Sequence, residues 1–475
     1  MGFGGLMVAI AVSSACPRVA RAETPATQQT SNNADLQAQI QHLQAELDAL
    51  KQRESAQEPR STQPADSPTS TAAAVEADAA KRGGAAITAP SMDATGLTAG
   101  WIPSKGFVIS SEDGNFLFHP WGYIQPRYVV DYRENGKNGT ETDTQSGFEI
   151  ARLKLAFDGN MFTPDLTYQF IWNTVKSGGG LTLNDAWVRY RFHNSNWAIQ
   201  GGQIRNPLDH EQIVFATQSM TVDRSLVDDI FANGEGFVQG VDVSYGYDTD
   251  GPFRAEAAIH HGMRNFNVSF QDFPTTNANW GASGRVDVKV MGDWKAYDRF
   301  SALEAKKDLL VIGAGADYTE AGDTGNLVHV VDAQYTLPSG LSLYGAYLGR
   351  YTKNNAGPPG TNGGSTTFAA TPDTYDATGR LMVSYLFKNH FEPYLSYEYI
   401  QFDAAGLPAT VHNTTCHDIT LGGNYYFYGQ RAKVSANVIY LPNGIPINDN
   451  TVNDILANPR GGNQVVFQAQ FQLII

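Results

Sequence analysis

The stretch from Gly147 to Arg205 decides the predicted fold, and in chain order it reads GFEIARLKLAFDGN, MFTPD, LTYQFIWNTV, KSGGG, LTLNDAWVRYRFH, NS and NWAIQGGQIR. Three successive runs alternate with a period of two, which places neighbouring side chains on opposite faces of a sheet. In the first run, the apolar face is Ala151, Leu153, Leu155 and Phe157, and the other face is Arg152, Lys154, Ala156 and Asp158. The next two runs repeat this contrast, with aromatic residues on the apolar face.

This pattern suits either a soluble β-sandwich or a membrane barrel with lipid outside and water inside. The runs are about ten to fourteen residues long, above the roughly 5–6 residues usual in globular sheets and enough to cross a bilayer at a tilt. Tyr, Phe and Trp crowd the strand ends, as interfacial girdles do. Turns as short as Asn194-Ser195 alternate with longer loops. The stretch therefore favours a transmembrane β-barrel.

Composition narrows the function. The 475 residues include 33 basic and 48 acidic ones, a net charge of −15, which argues against a nucleic-acid binder. No run approaches 18 consecutive apolar residues, which excludes a helical membrane protein. Charged residues make up 17%, below the roughly 25% of soluble domains.

Three segments precede the predicted barrel. Residues 1–22 resemble a secretory signal peptide, with a short apolar core and an Ala20-Arg21-Ala22 cleavage site. Residues 33–54 carry Leu36, Ile40, Leu43, Leu47 and Leu50 in the 4-3-4-3 spacing of a coiled coil. This segment is either a periplasmic oligomerisation stem or one amphipathic helix lying on another surface. Residues 55–100 have the composition of a flexible linker.

From residue 101 to residue 475 the pattern predicts an all-β barrel of sixteen antiparallel strands. An even number returns the chain to the end at which it began, as in bacterial barrels. The connector 292–307 is long where a short turn is expected. The predicted strands are 116–133, 148–160, 165–176, 181–193, 196–205, 235–247, 253–262, 281–291, 308–319, 326–337, 341–353, 374–387, 391–402, 415–428, 431–441 and 463–475.

Five blocks resemble the phosphate-selective porin O and P family of bacterial outer membranes. They are GFEIARLKLAFDG (147–159), PDLTYQFIW (164–172), LNDAWVRYRF (183–192), GGQIRNPLDHE (201–211) and VDRSLVDDIF (222–231). Arg152 and Lys154 match two cationic positions of the family's first block. The resemblance implies a sixteen-stranded barrel, usually a homotrimer, that sits in outer-membrane lipid and passes anions such as phosphate or polyphosphate.

A pore selects ions by the charge on its narrowest wall. The predicted lumen face of the first five strands carries Arg127, Arg152, Lys154, Arg189, Arg191 and Arg205, together with Asp131, Asp158 and Asp185. Arginine's planar fork can engage two phosphate oxygens, which makes these residues candidate anion-binding groups. Alternatively, Arg152 or Arg189 pairs with Asp158 or Asp185 across neighbouring strands.

The connector 206–234 is the second candidate element, because it is nearly thirty residues long and carries Arg224 as a further candidate anion-binding group. We expect it to fold into the channel rather than to form a surface loop. Its apolar anchors are Ile213, Val214, Phe215, Leu226, Val227, Ile230 and Phe231. Its acidic residues Asp209, Glu211, Asp223, Asp228 and Asp229 can offset Arg205 and Arg224, which leaves the selectivity open.

The sequence offers little for an enzyme. His210-Glu211 is not followed by the second His of a zinc-binding helix, and there is no G-x-S-x-G motif. We therefore predict a porin of the outer membrane, without cofactor or metal, whose stem lies in the periplasm and which passes small hydrophilic solutes with a preference for anions. A general or weakly cation-selective porin is the alternative within this class. A structural envelope tether with a barrel anchor is the alternative from another class.

Overall fold

The structure is a computed structural model, and it describes residues 96–102, 106–137, 141–176, 178–232, 236–263, 280–321, 324–353, 372–407, 413–445, 451–452, 455–458 and 461–475. The predicted signal peptide (1–22), coiled-coil stem (33–54) and nearly all of the linker (55–100) lie outside these residues. Within them, no helix has the length and apolar character needed to cross a membrane.

Sixteen strands form one closed antiparallel barrel, as predicted. They are β3 (Leu117–Lys137), β4 (Glu141–Met161), β5 (Thr163–Thr174), β6 (Leu181–Arg191), β7 (Trp197–Arg205), β8 (Phe237–Tyr245), β9 (Phe253–His260), β10 (Trp280–Met291), β11 (Leu309–Ala321), β12 (Thr324–Thr336), β13 (Leu341–Lys353), β14 (Thr374–Tyr385), β15 (Phe391–Gln401), β16 (Thr415–Tyr426), β17 (Ala432–Leu441) and β20 (Gln464–Ile474).

Four further strands lie outside the barrel ladder. The hairpin β1 (Leu97–Ile102) and β2 (Gly106–Ser111) pairs with the start of β3 through Ile109 and Ser110. The two-residue strands β18 (Thr451–Val452) and β19 (Ile455–Leu456) pair with each other in the connector before β20. The helical elements are single turns, which include α1 (His210–Ile213) and α2 (Trp294–Tyr297).

The barrel closes between its last and first strands. β20 pairs with β3 from Gln464 opposite Arg133 to Ile474 opposite Tyr123. The backbone N–H of Ile475 donates to the carbonyl of Gly122 at 2.9 Å, and the N–H of Gly122 donates back at 3.3 Å. Closure leaves no open edge in the ladder, which is the requirement for a sheet that crosses a bilayer.

Alternation along the strands separates an apolar outer face from a polar inner face. On β20, Phe467, Phe471 and Leu473 point outward and are about 40% exposed, whereas Gln468 and Gln472 point inward and are buried. The same period holds in β4–β6, where Arg152, Lys154 and Asp158 lie inside and Leu155 and Phe157 lie outside, as predicted.

Two details of the first hairpin differ from the prediction. Ala151 does not share the outer face with Leu153, because it is the extra residue of a β-bulge: Pro126 pairs with Ile150, whereas Gln125 pairs with Arg152. The connector expected at 134–147 is shorter, because β3 runs to Lys137 and β4 starts at Glu141. These added residues are mostly polar, so they continue the backbone ladder without the apolar alternation that reveals a strand.

The inner face is unevenly covered. We name the inward faces of β12–β17 the covered wall, since side chains such as Val330, Tyr344 and Ile400 are buried there. We name the inward faces of β4–β7 the open wall, where Gln169 and Arg189 are half-buried. The open wall is buried only in part, at inward residues such as Lys154, Asp185 and Gln203.

Candidate constriction site

The connector between β7 and β8 folds into the lumen, which confirms the predicted inward loop. We name residues 206–236 the eyelet loop, of which 233–235 are not described. The backbone N–H of Asn206 donates to the carbonyl of Gly236 at 2.6 Å and closes the base of the loop. Residues Leu208, Leu226, Val227, Ile230, Phe231 and Ala232 form one buried cluster with apolar side chains of the covered wall.

Polar side chains of the barrel hold the middle of the eyelet loop by donating hydrogen bonds to its backbone carbonyl groups. Lys433 Nζ donates to Ser219 O at 2.8 Å, Asn424 Nδ2 to Met220 O at 2.8 Å, and Gln472 Nε2 to Thr217 O at 3.1 Å. These three donors come from β17, β16 and β20, so the loop crosses the lumen against consecutive strands.

Two predicted anion-binding residues meet an acidic residue of the loop. Arg127 donates to both carboxylate oxygens of Asp223, at 2.5 and 2.9 Å, and Arg152 Nη2 donates to Asp223 Oδ1 at 2.8 Å. Burial acts to raise the pKa of Asp223, but the guanidinium groups of Arg127 and Arg152 outweigh burial and hold it well below its usual value. These two cations therefore anchor the loop.

A third candidate, Arg224, braces the loop internally. Its Nη2 donates to Val214 O at 3.0 Å, and its Nε lies 3.7 Å from Asp228 Oδ2. Beside it, Glu211 accepts from the N–H and hydroxyl of Ser225 at 2.9 and 2.6 Å and pairs with Arg380 of β14. The acidic residues of the loop thus serve in part to fold and dock it.

Lys154 and Arg205 lie on the open wall and contact aromatic rings. The Arg205 guanidinium sits 4.4 Å from the ring centre of Phe215 and 5.2 Å from that of Phe237, and its Nη1 donates to Gln212 O at 2.5 Å. Lys154 Nζ donates to Asn184 Oδ1 at 2.5 Å and lies 6.0 Å from the ring centre of Phe237. We name these four residues the basic wall: Lys154, Arg205, Phe215 and Phe237.

At the basic wall, the eyelet loop meets β7 of the open wall through the ring of Phe215 and the carbonyl of Gln212, both of which contact Arg205. Phe215 belongs to the loop and is half-buried, and its ring is 6.2 Å from that of Trp121 on β3. A cation held over an aromatic face keeps its charge, because the ring attracts it through its quadrupole without neutralising it.

The last two predicted anion-binding residues lie away from the eyelet loop. Arg189 and Arg191 stand at the short-turn end of β6. Arg189 Nη2 pairs with Asp248 at 2.5 Å, and Arg191 Nε donates to Asp165 at 2.7 Å. Pairing of Arg152 or Arg189 with Asp158 or Asp185 was the alternative to anion binding, and the partners differ: Arg152 and Arg189 bind Asp223 and Asp248. Asp158 accepts from Trp121 at 2.7 Å, and Asp185 accepts from Gln169 at 2.8 Å.

Residues of the connector 292–308 were missed as part of the lumen. Trp294, Tyr297 and Phe300 are each at most 4% exposed, and the ring of His210 stacks on that of Tyr297. The sequence did contain a signal for this packing. The connector is long although it lies at the barrel end where the other connectors are short turns, and it carries three aromatic residues.

The sequence matches no protein-family model and no curated protein. Among solved structures, the anion-selective porin from Comamonas acidovorans is similar with a TM-score of 0.51 and 14% identity, over 75% of this chain and 99% of that porin. The outer-membrane channel DcaP of Acinetobacter baumannii has a TM-score of 0.47 and 12% identity, over 77% and 99%. OmpF of Salmonella typhi, in complex with daunomycin, has a TM-score of 0.46 and 13% identity, over 76% and 99%.

The closed barrel of sixteen strands and the similarity to the Comamonas porin agree on a porin fold. At 14% identity the similarity concerns the fold alone.

Proposed function

We propose that this chain is an outer-membrane porin through which small hydrophilic solutes diffuse passively, with anions, phosphate among them, favoured over cations. The observation that carries the proposal is the basic wall, which places Arg205 against the half-buried ring of Phe215 at the edge of the eyelet loop and Lys154 beside the buried ring of Phe237. A cationic surface beside a constriction raises the local concentration of anions and lowers that of cations.

The other predicted anion-binding residues have different roles from those of the basic wall. Arg127, Arg152 and Arg224 bind acidic residues of the loop, and we assign them to its anchoring. Arg189 and Arg191 stand at the mouth, where exposed charges attract anions over a distance and are screened by salt. We propose a homotrimer in the outer membrane with the stem in the periplasm, as the resemblance of the five blocks implies.

A general or weakly cation-selective porin is the second candidate, and one observation favours it. Residues 101–475 hold 26 basic and 38 acidic residues, and Asp223 pairs with two cations of the lumen and offsets one of their two charges. In that case the acidic loops decide the selectivity, and the barrel architecture stays the same.

Recordings from the full-length protein in a planar bilayer test the proposal. We expect ion-conducting channels whose reversal potential across a chloride gradient shows anion preference, and a chloride current that added inorganic phosphate reduces. Cation preference would support the second candidate. A reconstituted barrel that conducts no ions would support a structural tether.

A further inference from the structure

A second loop enters the lumen, from the end of the barrel that carries the short turns. We name residues 292–308 the turn-side loop; it connects β10 to β11 and contains α2. Its aromatic side chains Trp294, Tyr297 and Phe300 are 4%, 4% and 3% exposed. A connector of this length with buried aromatic residues is packed against other elements rather than free at the surface.

One face of this loop is fixed to the barrel by a polar network. The Tyr297 hydroxyl accepts from Arg285 Nη2 at 2.9 Å and donates to Asp287 Oδ1 at 3.0 Å. Arg285 also makes a two-bond pair with Asp332 of β12, at 2.8 and 2.9 Å. Such two-bond pairs fix geometry, so the position of the Tyr297 ring is set by β10 and β12.

The other face of Tyr297 contacts the eyelet loop. The rings of Tyr297 and His210 are parallel to within 2°, with centroids 3.7 Å apart, and Phe300 meets His210 edge-on at 5.2 Å. His210 also contacts Gln334 at 3.1 Å, and Gln334 donates to Arg299 O of the turn-side loop at 2.7 Å. Burial lowers the pKa of His210 to about 4, so this ring is neutral at physiological pH.

The same part of the eyelet loop carries the constriction. His210 begins α1, and two residues later the Gln212 carbonyl accepts from Arg205 at 2.5 Å. Phe215, which lies against the Arg205 guanidinium, follows three residues after that. Moving α1 therefore moves both the acceptor and the ring that orient Arg205.

We propose that the turn-side loop is a brace that positions the constriction, and that Tyr297 acts on ion selectivity through His210 and α1 as a positioning residue. This inference rests on the proposed function, since it assigns a support to the basic wall. It adds to that function an element from the opposite end of the barrel, so that two loops together set the narrow part of the channel.

The test compares full-length wild type with Tyr297→Leu, Tyr297→Phe and His210→Ala, with Lys307→Ala as the matched control. Lys307 belongs to the same loop, but it is exposed and pairs with Asp293 at 2.9 Å. We expect Tyr297→Leu and His210→Ala each to lower the anion-to-cation permeability ratio at least about twofold, the lower end of what packed networks transmit. Tyr297→Phe keeps the ring stack but loses the hydroxyl bonds to Arg285 and Asp287, so we expect a permeability ratio between those of wild type and Tyr297→Leu.

A second readout does not depend on conduction. Cys416 is 1% exposed in the cluster that holds the eyelet loop, and mass spectrometry can follow its alkylation in the folded protein. We expect alkylation several-fold faster in Tyr297→Leu and His210→Ala than in Lys307→Ala. If Tyr297→Leu does not fold, the brace is tested by His210→Ala alone, because this change removes the other ring of the stack.

The double variant adds a coupling measurement. If the two rings act as one contact, combining Tyr297→Leu with His210→Ala should cost no more selectivity than either change alone. The brace is contradicted if permeability ratio, conductance and Cys416 alkylation all equal those of wild type in both single variants. A wild type without anion preference contradicts the proposed function instead, and conductance and alkylation then decide on the brace.

Discussion

The covered wall and the open wall are built from the same kind of strand, yet their inward faces differ in polarity and burial. Along the covered wall, inward residues such as Val330 and Ile400 are apolar and buried beneath the eyelet loop. Along the open wall, inward residues such as Gln169 and Arg189 are polar and half-buried. Where a barrel holds a loop inside, part of its inner face therefore carries apolar side chains that dock the loop instead of polar side chains that face water.

The largest expected effect concerns Asp223, which joins the eyelet loop to Arg127 and Arg152. Replacing it with Ala leaves two guanidinium groups without the carboxylate that both bind, and removing one partner of a buried ion pair costs about 3–5 kcal/mol. We expect Asp223→Ala to lower the free energy of unfolding by that amount in a urea titration in detergent. Asp229→Ala, a half-buried position of the same loop, is the control, and equal losses in the two variants would contradict the anchoring role.

The next effect concerns the apolar anchor on the covered wall. Phe231 is 1% exposed, and truncating a buried Phe costs about 3–5 kcal/mol. We expect Phe231→Ala to loosen the eyelet loop and to raise single-channel conductance in planar bilayers. Phe471→Ala removes an outward ring of β20, so its conductance should match wild type. A conductance unchanged by Phe231→Ala would mean that the loop does not depend on the covered wall.

A smaller effect depends on pH. Burial, and then the charges of Asp332 and Glu211, raise the pKa of Asp209 to about 7. Because this value is above that of the unfolded carboxyl, the contribution of Asp209 to stability is complete below pH of about 4 and is lost as pH rises through about 7. Asn cannot ionise, so Asp209→Asn should gain thermal stability relative to wild type on going from pH 4 to pH 8. A difference between the two proteins that does not change with pH would contradict the assignment.

The smallest effect is expected at the mouth. Arg189 and Arg191 pair with Asp248 and Asp165 near solvent, and exposed pairs of this kind contribute about 0–1 kcal/mol. The double change to Gln should alter the urea midpoint little. It should shift the reversal potential only at low ionic strength, because salt screens exposed charges. A large shift that persists at high salt would place these residues in the constriction.

The strands could be predicted from the sequence because each side of the barrel wall meets a different medium. Alternation marks the sixteen strands to within a few residues, and it fails where polar residues extend the first hairpin to Lys137 and Glu141. It also cannot reveal the bulge at Ala151, because a small residue fits either face.

The site could be predicted only in part, because strand periodicity gives the direction of a side chain and not its distant partner. Arg127 and Arg152 lie inside as expected, but Asp223 comes from a loop 96 and 71 residues further along the chain. The stack of Tyr297 on His210 joins loops from opposite ends of the barrel. No local pattern records such a contact.

The most direct test of the central claim is the reversal potential of Lys154→Gln combined with Arg205→Gln, measured in a planar bilayer across a salt gradient. These changes remove both charges of the basic wall and leave the pairs of Arg127 and Arg152 with Asp223 in place. We predict an anion-preferring wild type and a double variant whose reversal potential moves to zero or to the cation side. A double variant that keeps the anion preference of wild type would contradict the claim that the basic wall sets selectivity.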